Sequence, residues 1–495
     1  MSKSTGVLCP LFSLSGDYGI GQMGCHAFRF IDWLNQSGFS HWQLLPLNPV
    51  DFVKSPYSSP SAFAGYYAYI DPNQLVEWDL IYKTELPILE NTSPNKVNYQ
   101  EVEIKLEHLL KLAFHRFFRI ADRDFLSEYE LFLSQNHSWL NDYALFMALK
   151  EKYQGQMWSL WPEEARNYQS LSKDIIEEQR EKAEYFKFVQ FIFFKQWNKL
   201  KIYALEKGIQ IIGDMPIYVS LDSADVWSQA ALFQLDEELN PKAVAGVPPD
   251  FFAQDGQLWG FPLYDWDTHE KSGFKWWKQR SQHLLHMFDL LRFDHFRAIE
   301  AYWSVPAHHA TAKYGHWIKA PGKALLSALE EVNPKGLIAE NLGDISEEVE
   351  ELRKEFQIPG MAIFQFGFGG HPLSTHLPHF VVDQDIYYSG THDNDVLSGW
   401  LETLSDYAYQ HLCKYYGVTK DQINVEFIVN RILSSQASLC ILPLQDIMNL
   451  GKETRINVPG QVLESNWTWR FSDNQLEETG AEKMKERLIF FGRNL

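Results

Sequence analysis

After Lys207-Gly208 the chain repeats one unit: a short apolar run that ends in polar or charged residues, followed by a helical stretch. The runs are IQIIGDMPIYV (209–219), LLRFDHFR (290–297), GLIAEN (336–341), AIFQFGF (362–368), IYYSGTHDND (386–395) and LCILPLQDI (439–447). Strands alternating with helices build βαβ units, and these units assemble a parallel sheet. Polar residues at the C-terminal end of every run suit an α/β fold of the (β/α)8 TIM-barrel type, in which catalytic residues sit at the carboxyl ends of several strands. An open doubly wound sheet would instead gather its site at one switch point.

Upstream the pattern differs. HWQLLPLNP (41–49) reads as a short buried strand ended by proline, followed by the loop SPYSSPSAFAG (55–65). From about 80 to 208 long amphipathic helices dominate, for example 102–118 with Leu106, Leu109, Leu110 and Phe114 at helical spacing, and a second from Ile175 to about Leu205. The expected organisation is a single catalytic barrel over 1–495, a mostly helical insertion subdomain over 80–208, and an aromatic active-site loop over 245–266.

Composition removes several functions. Asp and Glu number 64 against 44 Lys and Arg, a net charge of −20, which leaves little to neutralise nucleic-acid phosphates or dock on anionic lipid. The most apolar long stretch, Tyr185 to Phe194, is too short to span a bilayer. Cys9, Cys25, Cys413 and Cys440 form no CxxC pair, and the first residues lack the apolar core of a signal peptide, so a cytoplasmic protein with free thiols is expected. Oligomeric state is not legible.

Gly19-Ile-Gly21-Gln-Met-Gly24 matches the dinucleotide pattern GxGxxG, but the residue twenty past it is Leu44 and no acid, so it reads as a glycine turn entering a helix. His308 and His309 are adjacent and diverge; HExxH, GxSxG and the phosphate loop are absent. No metal and no other cofactor is expected.

The carboxylates remain. Arg292-Phe-Asp294-His-Phe-Arg297, Ala339-Glu340-Asn341 and Thr391-His392-Asp393-Asn394-Asp395 each end a strand. Residues two apart on a strand share a face, so Arg292 would point with Asp294 and keep it ionised. Glu340 follows Gly-Leu-Ile-Ala with no adjacent cation, as suits a protonated general acid. An ionised and a protonated carboxyl together are what cleavage of a glycosidic bond requires. Around them, 246–266 carries Phe251, Phe252, Trp259, Phe261, Tyr264 and Trp266 among glycines and prolines, a composition expected of a loop that can stack on sugar rings.

These segments resemble the 4-alpha-glucanotransferases of glycoside hydrolase family 77, the amylomaltases or disproportionating enzymes. The similarity runs through GIGQMG (19–24), SPYSSPSAFAG (55–65), IIGDMPIYV (211–219), AGVPPDFFAQDGQLWGFPLY (245–264), RFDHFR (292–297), AENLG (339–343), GTHDND (390–395) and NWTWR (466–470). It implies a (β/α)8 barrel, Asp294 as nucleophile, Glu340 as general acid/base and Asp393 as third acid. It also implies that Tyr57, Asp250, Trp259, Arg292 and His392 bind substrate. Asp214 fits a structural role as well as a substrate contact. The implied reaction moves α-1,4-glucan segments from a maltodextrin donor to the 4-hydroxyl of an acceptor glucan or glucose, by retaining double displacement and without cofactor. Such chemistry serves maltose, glycogen or starch metabolism alike. The chain departs from the family pattern at Ala298, at Asn341, where AEDLG is commoner, and at Gly369. Two other readings use the same residues: an α-amylase-type hydrolase, and a glucan-binding protein without catalysis.

Overall fold

The computed structural model describes residues 3–90, 93–249, 254–332, 335–369 and 371–494. Its strands in chain order are β1 (Ser4–Leu8), β2 (His41–Gln43), β3 (Gln210–Met215), β4 (Ala243–Val247), β5 (Gln257–Pro262), β6 (Leu290–Phe293), β7 (Ala301–Pro306), β8 (His316–Lys319), β9 (Leu337–Ala339), β10 (Met361–Ile363), β11 (Ile386–Tyr388) and β12 (Leu439–Pro443). Eight of them form one sheet in the order β10-β11-β12-β1-β2-β3-β6-β9. Every pairing in it is parallel. Spatial order follows chain order, and β12 returns to β1. Among the described residues the ring lacks a ladder only between β9 and β10, where the Ala339 amide donates to the Pro359 carbonyl at 2.8 Å. This is the (β/α)8 barrel expected from the strand-end pattern.

Leu8, Ile212, Ile338, Met361, Ile363, Ile386, Tyr388, Leu439 and Ile441 come from six of these strands and pack into one cluster, the filled barrel interior. Their strand neighbours, such as Val7, Ile211 and Leu291, face the other way into the larger core shared with the helices. The strands are shorter than the apolar runs suggest. The run at 362–368 stops at Ile363 and turns helical over Phe364–Gly367, and β12 ends at Pro443 before the helical turn Leu444–Ile447.

Between β2 and β3 lie the helices Tyr99–Ile120, Arg123–Lys152, Lys173–Glu178 and Arg180–Glu206. Side chains of Asn98, Asp122 and Ser172 cap three of them by accepting amides of the first turn. Leu106, Leu109, Leu110 and Phe114 are buried at their helical spacing. The second amphipathic pattern is broken at Gln179, and its long part, Arg180–Glu206, is the crossover that returns the chain to the barrel. Phe117, Phe125, Tyr129, Phe188 and Phe191 interlock edge to face or tilted, with centroids 5.1–6.0 Å apart, so much of the aromatic excess is core within these helices.

Two buried glutamines on the crossover helix fasten the loop before it. Gln190 exchanges hydrogen bonds with the main chain of Gly65 (2.7 and 2.9 Å), and Gln196 does the same at Asp71 (2.7 and 3.0 Å). An apolar residue at either position would leave a buried N–H and C=O unpaired, at about 1–3 kcal/mol each. The segment that starts at Ser55 and carries Tyr57 is therefore held at its far end.

A second sheet, β5-β4-β7-β8, is antiparallel and grows from the segments that follow β3 and β6. It corrects the reading of 245–266 as one loop. Residues 245–247 belong to β4, and Gln257–Pro262 form β5, paired to β4 with a bulge between Val244 and Gly246. Glycine and proline had argued against a strand, but β5 is an edge strand with one partner, where such residues are tolerated. The GIGQMG segment is a packing turn: Gly19 has φ +77°, and a Cβ on Gly21 would lie 1.9 Å from the Leu11 carbonyl oxygen. The helix Cys25–Gln36 follows it. No helix among the described residues is long and apolar enough to cross a membrane, and all four cysteines are free.

Candidate active site

A cleft of about 550 Å³ opens where β2, β3, β6, β11 and β12 end. Its walls include Tyr57, Tyr218, Trp259, Asp294, His392 and Asp393, together with the segment 457–463. Loops from five strand ends thus converge on the carboxyl face of the barrel, as the fold dictates.

Asp294 follows β6 directly and its side chain keeps 26% exposure, enough to meet a ligand. Arg292, two residues earlier on the same face, is buried and places Nη1 2.8 Å from Asp294 Oδ1. The same guanidinium nitrogen donates to both oxygens of Asp214, at 2.9 and 2.8 Å, and the Tyr57 hydroxyl donates to Asp214 Oδ2 at 2.6 Å. Burial pushes the Asp214 carboxyl up and Arg292 counters it. The fully buried Asp214 is a structural anchor for Arg292 and Tyr57. Removing either member of this buried ion pair would strand a charge, at about 3–5 kcal/mol. Arg292 reaches the cleft only through Asp294.

Glu340 lies one residue past β9 and is buried. Its main chain is locked to the end of β6 and the turn that follows it by Glu340 N to Phe293 O (3.0 Å) and Phe296 N to Glu340 O (3.1 Å). Its carboxyl accepts the amides of His295 (2.7 Å) and Leu342 (3.2 Å). His295 is the residue after Asp294, so the two carboxyl groups are separated by one peptide unit and its hydrogen bond. Burial, reinforced by the charge of Asp294, pushes Glu340 up to about 8 against the pull of Arg292 and the two amides. The group keeps its proton at neutral pH.

Asp393, 42% exposed, accepts a hydrogen bond from Asn457 Nδ2 at 2.7 Å and lies 3.4 Å from His392 Nε2. Arg455 donates to its carbonyl at 2.7 Å. His392 stacks on Tyr57 (centroids 5.2 Å, 16° between planes), and Trp467 leans on both rings. Across the cleft, strand alternation sets Trp259 and Phe261 of β5 on one face. Trp259 meets the His295 ring edge-on at 4.8 Å. His295 takes a left-handed φ of 51°, and burial lowers its imidazole to about 4, so it is neutral.

The structure therefore sets Asp294, Asp393, Tyr57, Trp259 and His392 in the walls of one cleft, with Glu340 and Arg292 buried against Asp294 and the peptide that follows it. Asp250, expected with them, lies outside the described residues, as do Phe251 and Phe252. Asn457, Arg455, His295 and Trp467 were not singled out from sequence. Trp467 falls in NWTWR, whereas Asn457 is one asparagine in a loop and carries no signal of its own. Among the described residues, one group of metal-type side chains lies together, Asp17, Cys25 and His26, at the surface. His26 there is already engaged by Asp473 (2.8 Å) and Asp17 (3.3 Å).

A (β/α)8 barrel with an arginine-paired, cleft-facing carboxyl beside a buried, protonated one at its carboxyl face defines the class of barrel enzymes that work by paired carboxylates. Comparison with known proteins narrows the class. The family model described as 4-alpha-glucanotransferase matches residues 9–476. A 4-alpha-glucanotransferase of Aquifex aeolicus is 44% identical over 499 residues, covering 100% of both chains. One of Thermus thermophilus is 39% identical over 97% of both chains. An amylomaltase from Streptococcus agalactiae, solved in complex with acarbose, superimposes with a TM-score of 0.94 at 37% identity, covering 99% of both chains. The chain belongs to the 4-alpha-glucanotransferase family, glycoside hydrolase family 77.

Proposed function

We infer that the chain moves α-1,4-glucan segments between maltodextrins by double displacement at the carboxyl-face cleft. The observation that carries the assignment of roles is the contrast between Asp294, exposed to the cleft and paired with Arg292, and Glu340, buried beside it and protonated at neutral pH. Asp294 attacks C1 of the donor glucose unit, and its bond to that carbon forms as the glycosidic bond breaks. Glu340 passes its proton to the departing oxygen, which leaves as the 4-hydroxyl of the shortened glucan. Glu340, now ionised, takes the proton of an incoming acceptor 4-hydroxyl, whose oxygen displaces Asp294 from C1. Two inversions give retention, a geometry that needs carboxyl groups about 5–5.5 Å apart.

Asp393 holds ring hydroxyls as the oxocarbenium-like charge develops, with Asn457 and Arg455 fixing its orientation. Tyr57 and His392 form the wall on that side, and Trp259 with Phe261 stacks on sugar rings opposite. Trp467 closes the wall behind Tyr57. Acceptor binding and water exclusion by these rings favour transfer, since the same carboxylates would serve hydrolysis. The relative holding acarbose supports a maltodextrin-like occupant for this cleft. The barrel and the helical segment 80–208 are read as one catalytic unit, supported by their shared core. Four free thiols suit a reducing, cytoplasmic setting.

Incubation with maltotriose tests the activity: a ladder of longer maltodextrins with free glucose is expected, and glucose plus maltose with no ladder would convict a hydrolase. The pH profile tests the acid. Because Glu340 must enter the cycle protonated and its value is raised, kcat/KM should fall as pH rises through about 8. A profile that stays flat to about pH 9.5 would remove Glu340 from that role.

A further inference from the structure

Asn341 directly follows the proposed acid. It also sits at the seam of the barrel that has no strand ladder among the described residues. Its Oδ1 accepts the amide of Met361, the first residue of β10, at 2.8 Å. Its Nδ2 donates to Glu350 Oε1 at 2.6 Å, on the helix Glu347–Glu355 that links β9 to β10. Glu350 is clamped in turn by Arg353, whose Nη2 stands 2.7 Å from Oε2, and Arg353 Nη1 donates to the Ile358 carbonyl at 2.8 Å just before β10. Gly360 leaves room for the Asn341 amide, since a Cβ there would come within 3.0 Å of it.

We propose that Asn341 is the positioning residue for Glu340, fixing the strand end that carries the acid by bridging β9 to β10 with an amide matched to Glu350. The two sides of Glu340 are held differently. Toward β6 its own main chain is hydrogen bonded, whereas toward β10 the single main-chain bond from Ala339 to the Pro359 carbonyl is joined by the side-chain link from Asn341 to the Met361 amide. The connection to chemistry runs through the next residue, since the Leu342 amide donates to the Glu340 carboxyl. Freeing Asn341 frees Leu342, and Glu340 loses one of the two donors that stabilise its ionised form. The amide is required because Glu350 offers only acceptors while ionised by Arg353. An acid at 341 could still accept from Met361, but it would face Glu350 with no hydrogen between them. Asn341 and Glu350 are therefore a matched pair.

This inference rests on Glu340 being the acid/base, and the experiment separates the two. Asn341→Asp and Asn341→Ala should lower kcat by about 10- to 100-fold with KM within about twofold, the cost of a misplaced acid. The alkaline limb of the pH profile should move upward in both, as Glu340 loses the Leu342 donor. In the double variant Asn341→Asp/Glu350→Gln the amide introduced on the helix can donate to the carboxylate introduced after the acid. There kcat and the limb should return most of the way to wild type. Asn341→Asp keeps the side-chain shape, so it carries the test if the alanine variant fails to fold. Wild-type kcat and an unmoved limb in a folded Asn341→Asp would overturn the proposal, as would a double variant no better than the single. Full activity in Glu340→Gln would instead overturn the reading beneath it.

Discussion

Replacing Asp294 by asparagine is expected to lower kcat on maltotriose by about 10⁴-fold or more, because the covalent step has no other carboxylate to take it over. The substitution is nearly isosteric, and Arg292 keeps its paired contact with Asp214, so the fold should survive. KM should change little, since the cleft walls lined by Asp393, Tyr57 and Trp259 are left intact. Intact-mass analysis with a donor bearing a fluoride leaving group at C1 should show no glycosyl adduct. Retention of a tenth of wild-type activity by a folded Asp294→Asn would take the nucleophile's role away from this residue.

Glu340→Gln separates the two carboxylates by a different signature. The loss with maltotriose should be about 10²- to 10⁴-fold, the range of one proton-transfer group. A fluoride needs no proton to depart, so Asp294 can still form its ester from such a donor. The acceptor hydroxyl then finds no base, and the glycosyl adduct should accumulate where Asp294→Asn showed none. The fall in kcat/KM above about pH 8 should also vanish from the residual activity, because the group raised to that value is gone. An unchanged alkaline limb in Glu340→Gln would assign that ionisation elsewhere.

The two variants probe a site whose halves were unequally legible. Arg292 and Asp294 lie two apart, and strand alternation alone aims them together. Their third partner Asp214 is 78 positions away and is joined only by the β3–β6 register. Glu340 was readable because it ends an apolar run, and its burial carries out what that run implied. Asp393 was readable, but Asn457, which orients it from 64 positions away, was not. Among the strands, β1 left only a short apolar signature, Val7-Leu8, interrupted for a packing reason: a Cβ on Gly6 would come within 2.6 Å of both His41 and Ile441, so that position excludes the branched residues that mark a strand. β5 was misread for the opposite reason, since its glycine and proline are allowed by the edge position that pairing with β4 creates. Local sequence reports propensity, and these are places where a distant neighbour decides.

The closure of β12 on β1 has a consequence for how the chain must be made. Strands emerge from the ribosome in the order in which they stand around the ring, so β1 waits with one edge unpaired until residues 439–443 arrive. The buried Arg493 then donates to the carbonyls of Ser4, Leu433 and Ala437, tying the first strand to the last segment beneath that final pairing. During synthesis an open strand edge is a template for pairing with another chain. A growing chain of this protein carries that hazard until β12 is out, and one released before Arg493 leaves the final knot untied.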